Sequence, residues 1–277
     1  MALFSIITVC YNAQEVIGNT IKSTLNQSFH DFEYVIVDGD SQDNTFPSIQ
    51  KIVSAYVQRN IKIVSEPDKG IYDAMNKATR MASGTYCLFM NAGDTFHSDD
   101  VLEKVAEYIS NDQPDICAGI ACTEKGLWYP YKEAELSLYR LTRHASCHQA
   151  TFIRRELLCK NPYDASLKIV ADSKFFIEAL ILNNVSYLDI PICVCNYEEG
   201  GVSSDLTKNK LELNMVIKEL FPPRLVRDLD ILDVYYNPLY RILYPFVVSS
   251  FFNKAVMPLL IKVNDTKRRL SYILFRK

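Results

Sequence analysis

From Phe4 to Cys10 the chain reads Phe-Ser-Ile-Ile-Thr-Val-Cys, a nearly continuous apolar and β-branched run. A strand covered on both faces has this pattern. The period then changes, because Val16, Ile17, Ile21 and Leu25 recur at helical spacing and predict a helix over residues 14–27. The two patterns go on alternating, with strands predicted at 32–37, 61–64 and 85–90 and helices at 45–59, 71–82 and 98–109. A β-α-β-α-β-α-β-α succession predicts βαβ units built on a parallel sheet. Residues 111–200 are less regular, with strands expected near 115–122 and 187–194 and a helix near 171–182. After Gly200-Gly201 the composition shifts, and 206–277 reads as successive helices broken at Pro222-Pro223, Pro238, Pro245 and Pro258.

In an open sheet of this kind ligands sit beyond the carboxyl ends of the strands, so the junction after each strand is where chemistry belongs. Four junctions turn polar where their strands are apolar: Tyr11-Asn12, Asp38-Gly39-Asp40-Ser41, Ser65-Glu66-Pro67-Asp68-Lys69-Gly70 and Asn91-Ala92-Gly93-Asp94. Singly, each has the composition of a turn or a helix cap. Jointly, with carboxylates at three of the four, they predict one binding site.

These segments, in this order and spacing, resemble family 2 glycosyltransferases of the GT-A fold. The match runs through Ile6-Ile7-Thr8-Val9-Cys10-Tyr11-Asn12, Val37-Asp38-Gly39-Asp40-Ser41-Gln42-Asp43-Asn44-Thr45, the stretch from Ser65 to Lys77, and Phe89-Met90-Asn91-Ala92-Gly93-Asp94. The resemblance implies an α/β, Rossmann-like, mostly parallel sheet flanked by helices over residues 1–205, with a donor-binding half at 1–110 and an acceptor half at 111–205. A helical appendage follows at 206–277. It further implies a nucleotide-sugar donor, with UDP favoured as the nucleotide, a divalent Mn or Mg ion, and inversion at the transferred sugar. The acceptor is expected to be a glycan or polyprenyl-linked hydroxyl in surface-polysaccharide synthesis. A catalytically inactive scaffold that binds glycans is the alternative, because the family's metal motif commonly carries two carboxylates and Asp94 alone is charged here.

On this resemblance the donor site comprises Thr8, Tyr11, Asn12, Asp38, Asp40, Glu66, Lys69, Gly70, Asp73, Asn76 and Asn91. Tyr11 offers a flat face near the base, and either Asp38 or Asp40 accepts from a base N–H. Lys69 supports the diphosphate where Gly70 lets the backbone turn closely beneath a ligand. Asp73 and Asn76 lie three apart and share a helix face, and Asn91 touches the ribose or the sugar. Asp94 holds the metal. The catalytic base is Asp172, in Ile169-Val170-Ala171-Asp172-Ser173, with an N-cap as its competing role. His148-Gln149 and Gly201-Val202-Ser203 are candidate active-site loops. Trp128 and Tyr129 are read as core residues before acceptor-stacking ones, and Cys193 and Cys195 as packing residues.

Composition narrows the picture further. The chain has 277 residues, 48% of them hydrophobic, enough for one large α/β domain with an appendage. A net charge of -3 argues against a nucleic-acid binder. From Lys254 onward, however, seven basic residues face Asp265 alone, and with Tyr240, Tyr244, Phe246, Phe251 and Phe252 they make a basic, aromatic tail from Tyr235 to Lys277 that suits an anionic inner membrane leaflet. Eight scattered cysteines and a start that passes straight into a strand predict reduced thiols and a cytoplasmic chain, peripheral on the membrane.

Overall fold

The computed structural model describes residues 2–143, 146–198 and 205–236. Strands β1 (Phe4–Cys10) and β2 (Phe32–Asp38) are buried at every position, as their unbroken apolar runs require. Both are central, with β3 (Ile61–Ser65) parallel to β2 and β4 (Tyr86–Phe89) parallel to β1. The connecting helices are α1 (Ile17–Leu25), α2 (Thr45–Val53) and α3 (Ile71–Met81). Pairing of Cys10 with Asp38, and of Asp38 with Ser65, sets three strand ends side by side on the edge where ligands bind.

At the opposite, amino-terminal ends of the same strands sits Glu33, fully buried. Its carboxylate accepts from Ser5 Oγ at 2.6 Å, Ser83 Oγ at 2.9 Å, Gly84 N at 3.0 Å and the Ser83 backbone N–H, and it pairs with Lys62 Nζ at 2.8 Å. Burial alone would raise its pKa, but these partners together hold it down to about 2. Four segments are thus pinned by one carboxylate. Gly84 is required there, since a Cβ would meet Phe4 C and Ser5 N at 2.7 Å.

Beyond β4 come β5 (Thr95–Phe96), α4 (Val101–Asp112), β6 (Ile116–Thr123), β7 (Gly126–Trp128), α5 (Leu138–Leu141) and β8 (Thr151–Arg154). Then follow α6 (Arg155–Lys160), α7 (Ala171–Ile177), continued by a π-helical turn at Glu178–Leu182, and β9 (Tyr187–Asn196). The sheet order is β3-β2-β1-β4-β8-β6-β9-β5, with β7 on β6. Pairing is parallel from β3 to β4 and between β6 and β9, and antiparallel at β4–β8, β8–β6 and β9–β5. The predicted helical region is present as α8 (Leu206–Leu220) and α9 (Pro223–Tyr236), separated at Pro222. Contacts divide the chain into two units, one ending at Ile217 and the other beginning at Lys218. Among the described residues no helix is long and apolar enough to cross a membrane.

Two predicted helices are shorter than their apolar spacing suggests, and a third is shifted by three residues at unchanged length. α1 begins at Ile17 because the Ala13 carbonyl closes a turn with Val16 N and Ile17 N. α2 stops at Val53, after which Ala55 N and Tyr56 N make tighter bonds to Ile52 O and Val53 O. α4 starts at Val101 because Ser98 Oγ bonds Asp100 and folds 98–100 into a turn. A second correction concerns β9. Ile120 faces Cys193 but Ala121 faces Cys195, so Val194 is an extra residue, a β-bulge that reverses the strand's inside and outside. Cys195 therefore packs in the core as expected, whereas Cys193 lies on the other, partly exposed face.

Candidate active site

The β1 and β2 ends are cross-stitched into a shelf. Asn12 N donates to Ser41 Oγ at 2.8 Å, Gln42 N to Asn12 Oδ1 at 2.9 Å, and Ala13 N to Thr45 Oγ1 at 2.7 Å. Asn12 and Asp40 both take left-handed φ values, 48° and 64°, which short polar side chains tolerate and which turn the two loops outward. Tyr11 stands 60% exposed on this shelf. Beneath it lies Gly39, where a Cβ would come within 2.4 Å of Asp68 Oδ2 and 3.4 Å of the Tyr11 ring. An aromatic face, a carboxylate and a bare backbone thus converge from three strand ends. Lys69 and Gly70 follow Asp68 directly, with Gly70 at φ 125° and its N–H bonded to Asp68 Oδ1 at 2.8 Å.

Several residues predicted to touch the donor are committed to the protein instead. Thr8 is fully buried and donates to the Met90 carbonyl at 2.6 Å while bonding Tyr34 OH, so it ties β1 to β4. Asn76 spends both ends of its amide on the Tyr163 backbone, at 2.7 and 3.0 Å. Asp38 is fully buried; Ser41 N, Ser41 Oγ, Ser65 Oγ and Cys10 Sγ fill its lone pairs. It builds the shelf, and exposed Asp40 is the carboxylate of that loop open to solvent. Asp73 accepts from Lys69 N at 3.0 Å and shapes the Gly70 turn, while Glu66 pairs with Lys77 at 3.1 Å. Gly201 and Ser203 lie outside the described residues.

The β4 end joins this shelf to the second half of the chain. Asp94 is 4% exposed, accepts from Glu198 N at 3.0 Å and from the Gln149 amide, and burial pushes its pKa up to about 6. Glu198 Oε2 lies over Gly93, where a Cβ would have to displace it. One residue group further, Asn91 Nδ2 meets His148 Nε2 at 3.1 Å, and His148 Nδ1 meets Asp172 Oδ2 at 2.9 Å. The other Asp172 oxygen receives Tyr72 OH at 3.2 Å and Ser173 N at 2.8 Å. Burial disfavours charge on His148, but Asp172, then Cys147 and Asp94, outweigh it and raise the imidazole's pKa. Burial and the neighbouring Asp172 push the Tyr72 phenol up.

Tyr72 belongs to the first turn of α3, two residues after Gly70, so the shelf and the Asp172 cluster share a helix. Glu212, in the part of α8 within the first unit, accepts from the backbone N–H groups of Lys168, Ile169 and Val170 at 2.7 to 3.0 Å. That carboxylate serves the backbone entering α7, whose N-cap is Val170; Asp172 is the second residue of the helix, where Oδ1 takes the Ser173 N–H and Oδ2 is turned to His148. Beside Cys147 opens a cavity of about 240 Å³ lined by Trp128, Tyr129, Tyr131 and Tyr187. Trp128 packs against the core as expected and also borders this cavity, whereas Tyr129 is exposed at its rim.

The oxygens around Asp94 fit a hard divalent cation. The buried Asp94 carboxylate has its pKa raised because His148 and its hydrogen bonds only partly offset burial, Glu198 supplies a second carboxylate, and Asn91 Oδ1 is buried without a partner. Glu198, Tyr72, Asp68 and Glu212 were not among the residues predicted from sequence. Asp68 lay inside a quoted motif and was legible there; Glu198 and Glu212 lie far along the chain from the groups they meet and carried no local signal.

The sequence model described as "Glycosyl transferase family 2" matches residues 5–163. A "PGL/p-HBAD biosynthesis glycosyltransferase" of Mycobacterium bovis BCG is 32% identical over 209 residues, covering 74% of this chain and 80% of that one. Among solved structures, S. aureus TarS 1-349 in complex with UDP-GlcNAc superposes with a TM-score of 0.66 at 19% identity, covering 91% of this chain and 78% of that one. The chain spans about a third of the longer TarS structure, 36% of it. A Pyrobaculum calidifontis mannosyltransferase in complex with GDP-Man and Mn2+ gives 0.63 at 16% identity, covering 99% and 82%. The structural likenesses show the GT-A fold that the motifs implied. With the family model covering more than half of its length and a relative aligned over most of both sequences, the chain belongs to glycosyl transferase family 2.

Proposed function

We propose that this glycosyltransferase moves a sugar from a UDP-sugar to a hydroxyl of a glycan or lipid-linked acceptor, with inversion at the anomeric carbon. The observation that carries the reading is the continuous path from the Tyr11–Gly39–Asp68 shelf, through Tyr72, to Asp172, His148, Asn91 and Asp94. Donor, cation and base would then occupy one crescent. The UDP-GlcNAc held by TarS supports the donor class.

In this reading Tyr11 stacks on the base and Asp40 or Asp68 accepts its N–H. Lys69 faces the diphosphate. Asp94 and Glu198, with Asn91 Oδ1, would hold a Mn or Mg ion, which when bound supplies Lewis-acid stabilisation to the departing diphosphate. The acceptor hydroxyl enters beside the aromatic cavity, displaces His148 from Asp172 Oδ2 and gives up its proton to that oxygen. Its oxygen bonds the anomeric carbon as the bond to the diphosphate breaks, and a single displacement inverts the centre. A lipid-linked acceptor suits the basic, aromatic tail, most of which lies outside the described residues.

Titration calorimetry of the full chain with UDP, with and without Mn, tests the assignment. Binding should strengthen at least tenfold with the cation and lose that gain in Asp94→Ala. Equal UDP affinity in EDTA and in Mn would remove the cation site, and no UDP binding under either condition would favour an inactive scaffold.

A further inference from the structure

On the outer face of the β5–β9–β6 edge, away from the crescent's reacting groups, three ligand-type atoms gather from three different segments. His97 follows β5, Cys193 lies on β9 and Cys122 on β6. Cys122 Sγ is 3.1 Å from Cys193 Sγ and 3.6 Å from His97 Nδ1, and all three atoms lie within 4.8 Å of one another. The bulge at Val194 creates the set. Cys193 pairs with Ile120, two residues from Cys122 on the same face, and His97 N bonds the carbonyl of the bulged Val194 at 3.0 Å. Without that extra residue, Cys193 would share the buried side with Cys195.

We propose that His97, Cys122 and Cys193 form a binding site for a borderline-soft divalent cation, Zn2+, separate from the oxygen-lined site at Asp94. Two thiolates and an imidazole are the donor set such ions prefer, and hard Mn or Mg ions avoid it. The geometry is close to what is needed. Zn–S near 2.3 Å and Zn–N near 2.0 Å place tetrahedral ligands about 3.8 Å apart for two sulfurs and about 3.5 Å apart for sulfur and nitrogen. The Cys122–His97 separation of 3.6 Å already matches, and the sulfurs need to part by only several tenths of an ångström. His97 is exposed and both cysteines are partly so, which leaves a path for entry and a fourth position for water. His97 Nδ1 now bonds Asn196 Oδ1 at 3.0 Å, a contact the metal would replace. A disulfide between the two cysteines would need an external oxidant and gives the imidazole no part.

The site straps β5 to β9 and β6 just where β5 leaves Asp94 and β9 approaches Glu198. Zinc binding there would stiffen the pair of strands that carries those two carboxylates.

The full chain, stripped with EDTA and kept reduced, is loaded with Zn2+ or Co2+, desalted and examined by metal analysis, absorption and alkylation mass spectrometry. The expected result is one tightly held ion per chain and a thiolate-to-cobalt charge-transfer band. Alkylation should slow at least tenfold at Cys122 and Cys193 but remain unchanged at exposed Cys159. His97→Ala and Cys193→Ser should each weaken Zn2+ at least tenfold with unchanged circular dichroism, and Asp94→Ala should leave Zn2+ stoichiometry intact. His97 is on the surface, so its variant keeps the test valid if the cysteine variant fails to fold. Undiminished Zn2+ retention in the His97 variant, unslowed alkylation of the cysteine pair, or loss of the ion in Asp94→Ala would each overturn the assignment.

Discussion

Replacing Asp94 by Asn should stabilise the fold while abolishing turnover. The carboxyl's pKa rises from its ordinary 3.8 to about 6 because burial strips its hydration and Glu198 adds a like charge, beyond what the Glu198 N–H, His148 and Gln149 restore. A carboxyl that holds its proton more tightly when folded makes the ionised form a burden on the native state. The burden is absent below about pH 4, grows as pH climbs towards 6 and is complete above that. Two pKa units correspond to about 3 kcal/mol. Asn keeps the shape and can still accept from Glu198 N without the charge. Urea unfolding in EDTA, followed by circular dichroism, should therefore place Asp94→Asn about 3 kcal/mol above the wild type at pH 8 and level with it at pH 4. Manganese should recover most of the difference in the wild type and do nothing for the variant, because ligands stabilise only the state that binds them. An equal gain at both pH values would mean that packing, not charge, separates the proteins. No gain at pH 8 would refute the unpaired-charge argument outright.

Asp172→Asn should lower turnover by roughly 10²–10⁴-fold with unchanged UDP affinity, measured by nucleotide release once an acceptor is in hand. The same variant should drop the His148 pKa, followed by histidine NMR, since Asp172 is its main favourable partner. Gly39→Ala would push aside the Asp68 carboxylate, the movable tip of its side chain, and crowd the Tyr11 ring; fold stability should hold while UDP binding weakens about tenfold, or about 1.4 kcal/mol. Calorimetry checks this, and unaltered affinity would place the base elsewhere. Gly84→Ala meets backbone rather than a flexible tip and should cost about 3 kcal/mol in urea unfolding.

Strands β1, β2 and β4 were legible because each is buried along its length, so apolar continuity alone marks them, and half-buried β3 was legible from its β-branched residues. β5 and β7 have two and three residues, too few for any period, and β8 has four beside a helix of six. The shelf was legible at Tyr11, Asp40 and Lys69 because strand-end position predicts it. What was not legible is which polar groups the protein consumes internally. Thr8, Asp38 and Asn76 sit in the right segments, yet their partners Met90, Ser65 and Tyr163 are brought near only by strand pairing and helix docking. Likewise Glu198, whose backbone N–H bonds Asp94 and whose carboxylate lies over Gly93, comes 104 residues later. The position of Cys193 turned on one bulged residue, which no alternation pattern encodes.

The grip of Glu212 on residues 168–170 has a practical meaning for anyone trimming this enzyme. The recognisable family segment closes at residue 163, and a cut at the Gly200-Gly201 compositional break looks natural on paper. A cut at 200 would take away Glu212 and strand three amide hydrogens just ahead of Asp172, loosening the start of the helix that carries it, whereas a cut at 163 would remove Asp172 altogether. The first protein should keep its donor shelf and bind nucleotide with its candidate base poorly held; the second would have no such base.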